Sequence, residues 1–409
     1  MPDVVVIGGG AAGFFGAIAC AQANPNARVT ILEAGRQPLA KVRISGGGRC
    51  NVTHHCFDPA ALVRSYPRGG RELRGPFSRF QPQDTIAWFA RHGVKLKTEA
   101  DGRMFPVTDD SGTIVDCLQT TARSAGVDWE WGVRVEAVSY DAGKFTLQFK
   151  TGKPLKCDRL LLATGGTAAG HRLAASLGHE IVPPVPSLFT FAIADDRLRE
   201  LAGVSVPNAR IRLLGMGKKN KLEQTGPVLI THWGLSGPAT LKLSAWGARA
   251  LQTVNYRLPV EVTWLPEHNL DTLQAIFQAT RERSPRRQVS GTCPVELPRR
   301  LWQQLVGYVG IAPETRWTET PKKALQALAR ELVQGRYDIK GKGVFKEEFV
   351  TCGGVRLKEV DFKTMASRLV PGLHFAGEIL DIDGITGGFN FQSAWTTGWL
   401  AGRAIAASV

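Results

Sequence analysis

The stretch from Val4 to Glu33 constrains everything else in the chain. It begins V-V-V-I, a β-branched apolar run of the kind buried on both faces of a sheet. Gly8, Gly10 and Gly13 follow as G-x-G-x-x-G. Phe14 to Ala23 favours helix, and Asn24-Pro25 stops it. Val29 to Leu32 is a second buried run, closed by Glu33, which lies 20 residues beyond Gly13. Strand, glycine turn, helix, strand and acid at this spacing predict a dinucleotide-binding βαβ unit. Gly8 permits the tight strand-to-helix turn. Gly10 leaves the backbone open to a pyrophosphate, and Gly13 lets helix and strand pack closely. The helix N-terminus offers unpaired N–H groups and partial positive charge. Glu33 takes ribose hydroxyls and repels a 2′-phosphate, which disfavours NADP as the ligand of this unit.

A chain of 409 residues predicts two or three domains with ample core. Its seven cysteines are scattered, without C-x-x-C or metal-ligand spacing, so they read as reduced thiols in a cytoplasmic protein, with no metal. Val4 to Ala23 lacks a basic flank and holds five glycines, which excludes a signal peptide or membrane span. The expectation is a soluble protein. The net charge of +15 is uneven: residues 36–103 hold thirteen Lys/Arg against five Asp/Glu, and Arg281 to Arg300 adds an excess of four. No zinc knuckle, RNP-type aromatic motif or long basic block accompanies it, so a solvated basic surface is the plain reading and a nucleic-acid partner is not expected.

Further along, Ser45 to Asn51 is a second glycine-rich loop, with Gly46, Gly47 and Gly48 flanked by Lys41, Arg43 and Arg49. Such a loop passes close to a flat or anionic group. Residues 57–80 read as irregular. Pro82 opens a helix with Ile86, Phe89 and Ala90 on one face, and Gly102 to Pro106 reads as a loop. Ser111 begins a helix with Val115, Leu118 and Ala122 inward, closed by Gly126. Val133 to Tyr140 and Lys144 to Phe149 alternate as a hairpin. Cys157 to Ala163 reads as one buried strand ending in a third glycine turn at Thr164-Gly165-Gly166.

Pro183, Pro184 and Pro186 mark a boundary. Residues 187–337 then read as an inserted β-rich and helical cap. It has a basic turn at Lys218 to Lys221 and a turn-rich loop from Thr231 through His232 to Pro238. Residues 338–409 return to the first domain, with Lys346 to Val350 leading back. Leu373 to Ala376 is a short buried strand, Gly377-Glu378 sits at its C-terminal edge, and Gly387-Gly388 opens a last helix. Ligand-binding groups thus converge from both ends of the chain. That suits FAD better than NAD: an acid among Glu378, Asp381 and Asp383 serves the ribityl chain, and a helix N-terminus serves the flavin pyrimidine edge.

Several blocks together resemble a bacterial flavoprotein family labelled aminoacetone-oxidase-like, BaiN-like or YhiN-like. They are V-I-G-G-G-A-A-G, K-V-R-I-S-G-G-G-R-C-N-V-T from Lys41, G-R-M-F-P from Gly102, L-A-T-G-G from Leu162, T-H-W-G-L-S-G-P from Thr231, T-C-G-G-V from Thr351, and F-A-G-E-I-L-D-I-D-G-I-T-G-G-F-N-F-Q-S-A-W from Phe375. The resemblance implies an α/β fold: a split Rossmann-type FAD-binding domain with an inserted β-rich domain and a small helical domain. It implies non-covalent FAD, with contacts at Gly10, Ala12, Gly13, Glu33, Ser45, Gly47, Arg49, Asn51, Val135, Gly165, Gly377, Glu378, Asp383, Gly388, Phe389 and Asn390. Gly8 and Lys41 join them from the turn and the basic loop. Family activities include oxidation of small amines and reduction of conjugated double bonds in steroid-like acids. The chain departs from the pattern after Gly166, where T-A-A-G-H-R-L-A-A-S-L-G-H-E is shorter than the family's stretch.

The resulting expectation is an oxidoreductase exchanging hydride at flavin N5 with a small, anionic substrate class. NAD(P)H serves as a transient donor without a Rossmann unit of its own. Arg49, Cys50, Asn51 and His232 are the catalytic candidates. The alternative is an FAD-dependent RNA-modifying or RNA-binding protein that uses the basic surface.

Overall fold

A computed structural model describes residues 1–216, 222–343 and 350–409. The predicted turn at Lys218 to Lys221 and most of the lead-in at Lys346 to Val350 lie outside the described residues. The chain divides into two units, one of Met1–Val185 with Val350–Val409, the other of Pro186–Phe349.

The first unit is built on the predicted βαβ element. Strand β1 (Asp3–Ile7) leads into helix α1 (Ala11–Ala23), followed by β2 (Arg28–Glu33). After them come α2 (Ala40–Gly48), α3 (Pro82–Arg91), β3 (Asp128–Trp131), β4 (Arg159–Leu162), α4 (Ala168–Ser176), β5 (Leu373–Phe375) and α5 (Phe389–Ala407). The five strands pair in parallel in the order β5-β4-β1-β2-β3. The antiparallel strands Val360–Asp361 and Ala366–Ser367 extend the β5 edge. Val4, Val6, Val29, Ile31, Leu160 and Leu161 are buried within it. A central parallel sheet covered on both faces needs such continuous apolar runs.

Helices α1 and α5 join the two ends of the chain at backbone distance. A Cβ at Gly398 would lie 2.6 Å from Ala12 O, and one at Gly402 would lie 2.1 Å from Gly16 O. Asn24 Nδ2 also donates to Ala406 O at 3.3 Å, so the helices run parallel. Ala12 is level with Ala394 and Gly398, because Gly377 is wedged between Ala12 and Ala394. Helix α5 therefore starts five to nine residues before that level, at Phe389, whereas α1 starts one residue before it, at Ala11. At the α-helical rise this offset of four to eight residues puts the start of α5 about 6–12 Å beyond the start of α1 along the helix axes.

Several local expectations change in the folded chain. Residues 57–80 hold two short helices, Pro59–Leu62 and Gly70–Phe77. Asp58 caps the first by accepting from Ala60 N and Ala61 N, and the second buries Leu73 and Phe77. The inward face of α3 is Pro82, Thr85, Trp88 and Phe89 rather than Ile86, Phe89 and Ala90, because Trp88 packs on Phe15 with ring centroids 4.6 Å apart. Arg103–Pro106 is a strand, paired with Thr53–His54 and Leu96–Thr98. The run from Cys157 to Ala163 is split: Leu155–Cys157 belongs to a three-stranded sheet with Val135–Asp141 and Lys144–Phe149, and only Arg159–Leu162 enters the main sheet. The prolines of Ile181–Ser187 sit in a two-stranded ribbon with Val350–Val355, a setting with a free edge that spares a proline N–H.

The second unit is a seven-stranded antiparallel sheet. Its order is Gly335–Ile339, Leu258–Thr263, Ser205–Leu213, Glu223–Thr231, Gly234–Ser236, Phe191–Ala192 and Gly341–Lys342. Residue 337 lies inside the first of these strands. The predicted loop at Thr231 to Pro238 is a tight hairpin followed by the helix Pro238–Trp246. Trp264, Trp302 and Trp317 are fully buried in this unit. Arg197 is buried beside them, paired with Asp195 and Glu331 at 2.7 Å and lying 3.9 Å from the Tyr337 ring centre.

Candidate functional site

The first turn has the shape its glycines require. Gly8 adopts φ +114°, and a Cβ there would lie 2.4 Å from Ala163 O, just past the end of β4. A Cβ at Gly13 would lie 1.9 Å from Gly8 O, so the helix rests directly on its own strand. Gly10 is different: a Cβ there meets no atom within 4 Å. Open space thus stands before the α1 N-terminus, where the first four N–H groups have no intrahelical acceptor. Glu33 closes this turn. Its carboxylate accepts from Gly9 N and from Gly35 N, each at 2.6 Å.

The second glycine loop leaves helical geometry at Ser45, whose Oγ donates to Val42 O at 2.8 Å. Gly46, Gly47 and Gly48 all have positive φ, and Cβ atoms at Gly47 and Gly48 would point into open space. Arg49 turns its guanidinium to Glu99, with Nη1 2.7 Å from Oε1, and Asp109 lies 3.6 Å away. The Phe105 ring centre is 4.0 Å from Cζ. A role on a ligand would require Arg49 to leave these partners. Cys50 is fully buried, and burial pushes its thiol up to about 12, which keeps it protonated and removes it as a nucleophile. Asn51 Nδ2 donates to Thr53 O at 3.1 Å, and its Oδ1 accepts from Gly388 N at 3.0 Å. Asn51 therefore ties the basic loop to the residue that opens α5.

The C-terminal segment supplies the rest. Gly377 N donates to Thr397 Oγ1 at 2.9 Å, and a Cβ at Gly377 would lie 2.8 Å from that of Ala12. Glu378 accepts from Lys41 Nζ at 2.8 Å and from Thr351 N at 2.7 Å. Its Oε2 is 3.8 Å from where a Gly165 Cβ would stand, so the third glycine turn faces this carboxylate. Asp383 is fully buried, and the Arg68 fork holds it, with Nε 2.5 Å from Oδ1. Asn390 bridges Gly384 N and O at 2.8 and 2.9 Å, which folds the 384–390 loop. Phe389 stacks on His54 at 4.5 Å between ring centres and accepts from Tyr66 OH at 2.6 Å through its carbonyl.

A buried polar chain sets the start of α5. Thr53 and Thr85 hydroxyls donate to Gln392 Oε1 at 2.6 and 2.9 Å, and Trp395 Nε1 donates to Val52 O at 2.9 Å. Gly8, Gly10, Ala12, Gly13, Glu33, Gly165, Gly377 and Glu378 thus meet around the α1 N-terminus. Lys41 joins through Glu378, and Asn51, Gly388, Phe389 and Asn390 gather at the α5 N-terminus. Val135 is buried at the head of its strand, in the three-stranded sheet with Lys144–Phe149 and Leu155–Cys157. His232 belongs to the second unit, exposed in the hairpin turn after Thr231. Sequence reasoning missed Tyr66, Arg68 and Gln392. Their partners lie more than 300 residues away in the chain, and no local pattern announces them.

A family model described as HI0933-like protein Rossmann domain matches residues 2–404. The chain is 31% identical over 418 residues to a protein of Escherichia coli (strain K12) named ribosomal RNA dihydrouridine synthase, with 99% of this chain and 98% of the relative covered. It is also 31% identical over 414 residues to the 3-dehydro-bile acid delta(4,6)-reductase of Clostridium scindens, with 99% of each covered. Among solved structures, the 3-ketosteroid-delta4-(5alpha)-dehydrogenase of Rhodococcus jostii RHA1 superposes with a TM-score of 0.52 at 16% identity, covering 99% of this chain and 96% of that one. At that identity the likeness is one of fold.

Proposed function

This chain belongs to the HI0933-like Rossmann family of FAD-dependent oxidoreductases, and from that premise we propose that it reduces a carbon–carbon double bond conjugated with a carbonyl group. The parallel register of α1 and α5 carries the reading. It sets the two helix N-termini about 6–12 Å apart along the helix axes, with the Gly165 turn and Glu378 beside the first. That spacing suits a dinucleotide whose second half extends well past the pyrophosphate. FAD, when bound, supplies hydride exchange at N5. The N–H groups of α1 hold its pyrophosphate, with Gly10 leaving the room. Glu33 takes the adenosine ribose and Glu378 the ribityl hydroxyls. The positive end of α5 would stabilise the negative charge that the flavin pyrimidine edge gains on reduction, which would favour loading of the flavin by NADH or NADPH. The names of the two relatives support the bond type. One saturates a dehydro-bile acid, and the other produces dihydrouridine, whose precursor has a C5=C6 bond conjugated with its C4 carbonyl.

Two acceptors share this chemistry, a free steroid-like acid and a uracil within RNA. The first needs no partner beyond a small molecule; the second would draw on the basic surface of the unit Pro186–Phe349, which holds 24 Lys/Arg against 15 Asp/Glu. The test is anaerobic. The flavin is reduced with NADH or NADPH and then mixed separately with a 3-keto-4,6-diene bile acid and with unmodified ribosomal RNA. Rapid reoxidation by either acceptor supports the reading, and RNA binding that weakens steeply with salt identifies the second. Reduced flavin inert to both acceptors, with an oxidised form that a small amine reduces, would overturn it.

A further inference from the structure

A cavity of about 660 Å³ lies in the first unit, between the helix Gly70–Phe77 and the hairpin of Val360–Asp361 and Ala366–Ser367. Small-molecule sites span about 300–1,000 Å³. None of its lining residues is among those that gather at the N-termini of α1 and α5. Pro76 and Val360, both buried, and Leu357 and Phe362, both half-buried, give it an apolar lining. On the helix side Gly75 leaves room, since a Cβ there would meet no atom within 4 Å. On the hairpin side the turn is fixed by Asp361. Its Oδ1 accepts from Lys363 N at 3.0 Å, and its carbonyl accepts from Met365 N at 2.6 Å. Arg79 joins the two sides by donating from Nη1 to the Lys363 carbonyl.

The charge around this apolar space is one-sided. Arg79, Lys358, Lys363 and Arg368 line it, all exposed, against Glu72 and Asp361. Asp361 is already taken by its own turn, and Arg368 lies 3.8 Å from it while donating from Nε to Val360 O. Among the described residues, Arg79, Lys358 and Lys363 form no ion pair. Scattered surface cations need no partner, but here three stand around one apolar cavity. We propose that this cavity binds a small amphipathic anion, an apolar body that ends in one carboxylate or phosphate group. The body covers Pro76, Leu357 and Phe362, which removes apolar surface from water. The head meets the two ammonium groups and the Nε and Nη2 edge of Arg79, a fork that suits carboxylate and phosphate oxygens. The site stands apart from the flavin reading, so either can fail alone.

Isothermal titration calorimetry on the purified, FAD-loaded protein tests it, with decanoate, decyl phosphate, decanol and inorganic phosphate as probes below their micelle-forming concentrations. One equivalent of decanoate or decyl phosphate should bind at least about tenfold more tightly than decanol or inorganic phosphate, and more weakly as salt rises. The flavin absorbance should stay unchanged throughout. Lys358→Glu with Lys363→Glu, both exposed, should fold as wild type and abolish the preference for decanoate over decanol. Phe362→Ser should weaken both probes, and if it does not fold the charge variant decides alone. Absence of saturable binding overturns the proposal, as does decanol that binds as tightly as decanoate. Displacement of FAD by decanoate, or decanoate binding unchanged in the charge variant, would place the anion elsewhere and overturn it too.

Discussion

Gly10 and Arg49 show how differently two neighbouring motifs constrain single residues. Gly10 has an ordinary φ of −92° and no protein atom near the position of a Cβ. Gly10→Val should therefore fold with an unchanged melting temperature, yet lose FAD by at least about a hundredfold in affinity, because the branch fills the space before the α1 N–H groups. Flavin absorbance after gel filtration, beside a circular-dichroism melt, checks both halves. A variant that keeps stoichiometric FAD would move the pyrophosphate elsewhere. Arg49 is committed to Glu99, Asp109 and the Phe105 face, and Glu99 also holds Arg103 at 2.9 Å. Arg49→Ala should keep FAD affinity within about threefold, lower the melting temperature slightly, and leave the flavin potential unchanged. Loss of FAD, or a shifted potential, would show that the guanidinium swings to the ligand. The residue types of the loop were legible in the sequence. The direction of this side chain was not, since it depends on acids 50 and 60 residues further along.

At the scale of elements, the crossing of α1 and α5 is the joint that makes a split domain work. Small residues at Ala12, Gly16, Gly398 and Gly402 let the two backbones touch. Gly402→Ala forces the backbones apart, because its Cβ would meet Gly16 O and Cys20 N. The expected loss is about 1–3 kcal/mol in urea unfolding. Weaker FAD binding should accompany it, since the same helix presents the α5 N-terminus to the ligand. Stability equal to wild type would mean that the crossing is looser than described. The strand β1, helix α1 and the last helix were each legible from apolar runs and glycine stops. The strand Arg103–Pro106 and the helix Gly70–Phe77 were not. The first owes its state to pairing with Thr53–His54, and the second to the burial of Leu73 and Phe77. Neither partner is visible in the local pattern.

For the whole molecule, buried histidines set the response to acid. Burial holds His374 down to about 4 from an ordinary value of 6.5, and it lowers His171 and His179 as well. Glu359 beside His179 Nδ1, 2.9 Å away, opposes the shift there. In each case the folded chain holds the neutral ring and the unfolded chain takes the proton. Stability is therefore complete above about pH 6.5 and is lost as pH falls toward 4. His374 alone accounts for about 3 kcal/mol of that loss. The melting temperature should fall steeply between pH 6.5 and 4, and His374→Asn should flatten part of the fall. A melting temperature constant over that range would contradict the burial of these rings. Among the described residues, no helix is long and apolar enough to cross a membrane.

Residue types and their spacing are enough to read the dinucleotide turn, the acid at Glu33, the three glycine loops and the return of the chain's end to its beginning. These are local matters. A glycine with positive φ or a helix packed on its own strand limits which residue stands there, and the limit is written within a few positions. The tertiary structure alone decided the pairings. Arg68 closes on Asp383, Asn51 on the N-terminus of α5, and Arg49 on Glu99 rather than on a ligand. It also set α1 and α5 in one register, which gives the site its length. Such choices depend on which side chains meet after the sheet has formed. Partners separated by more than 300 residues leave no trace in a local pattern, because packing and charge compensation select them only once the fold brings them together.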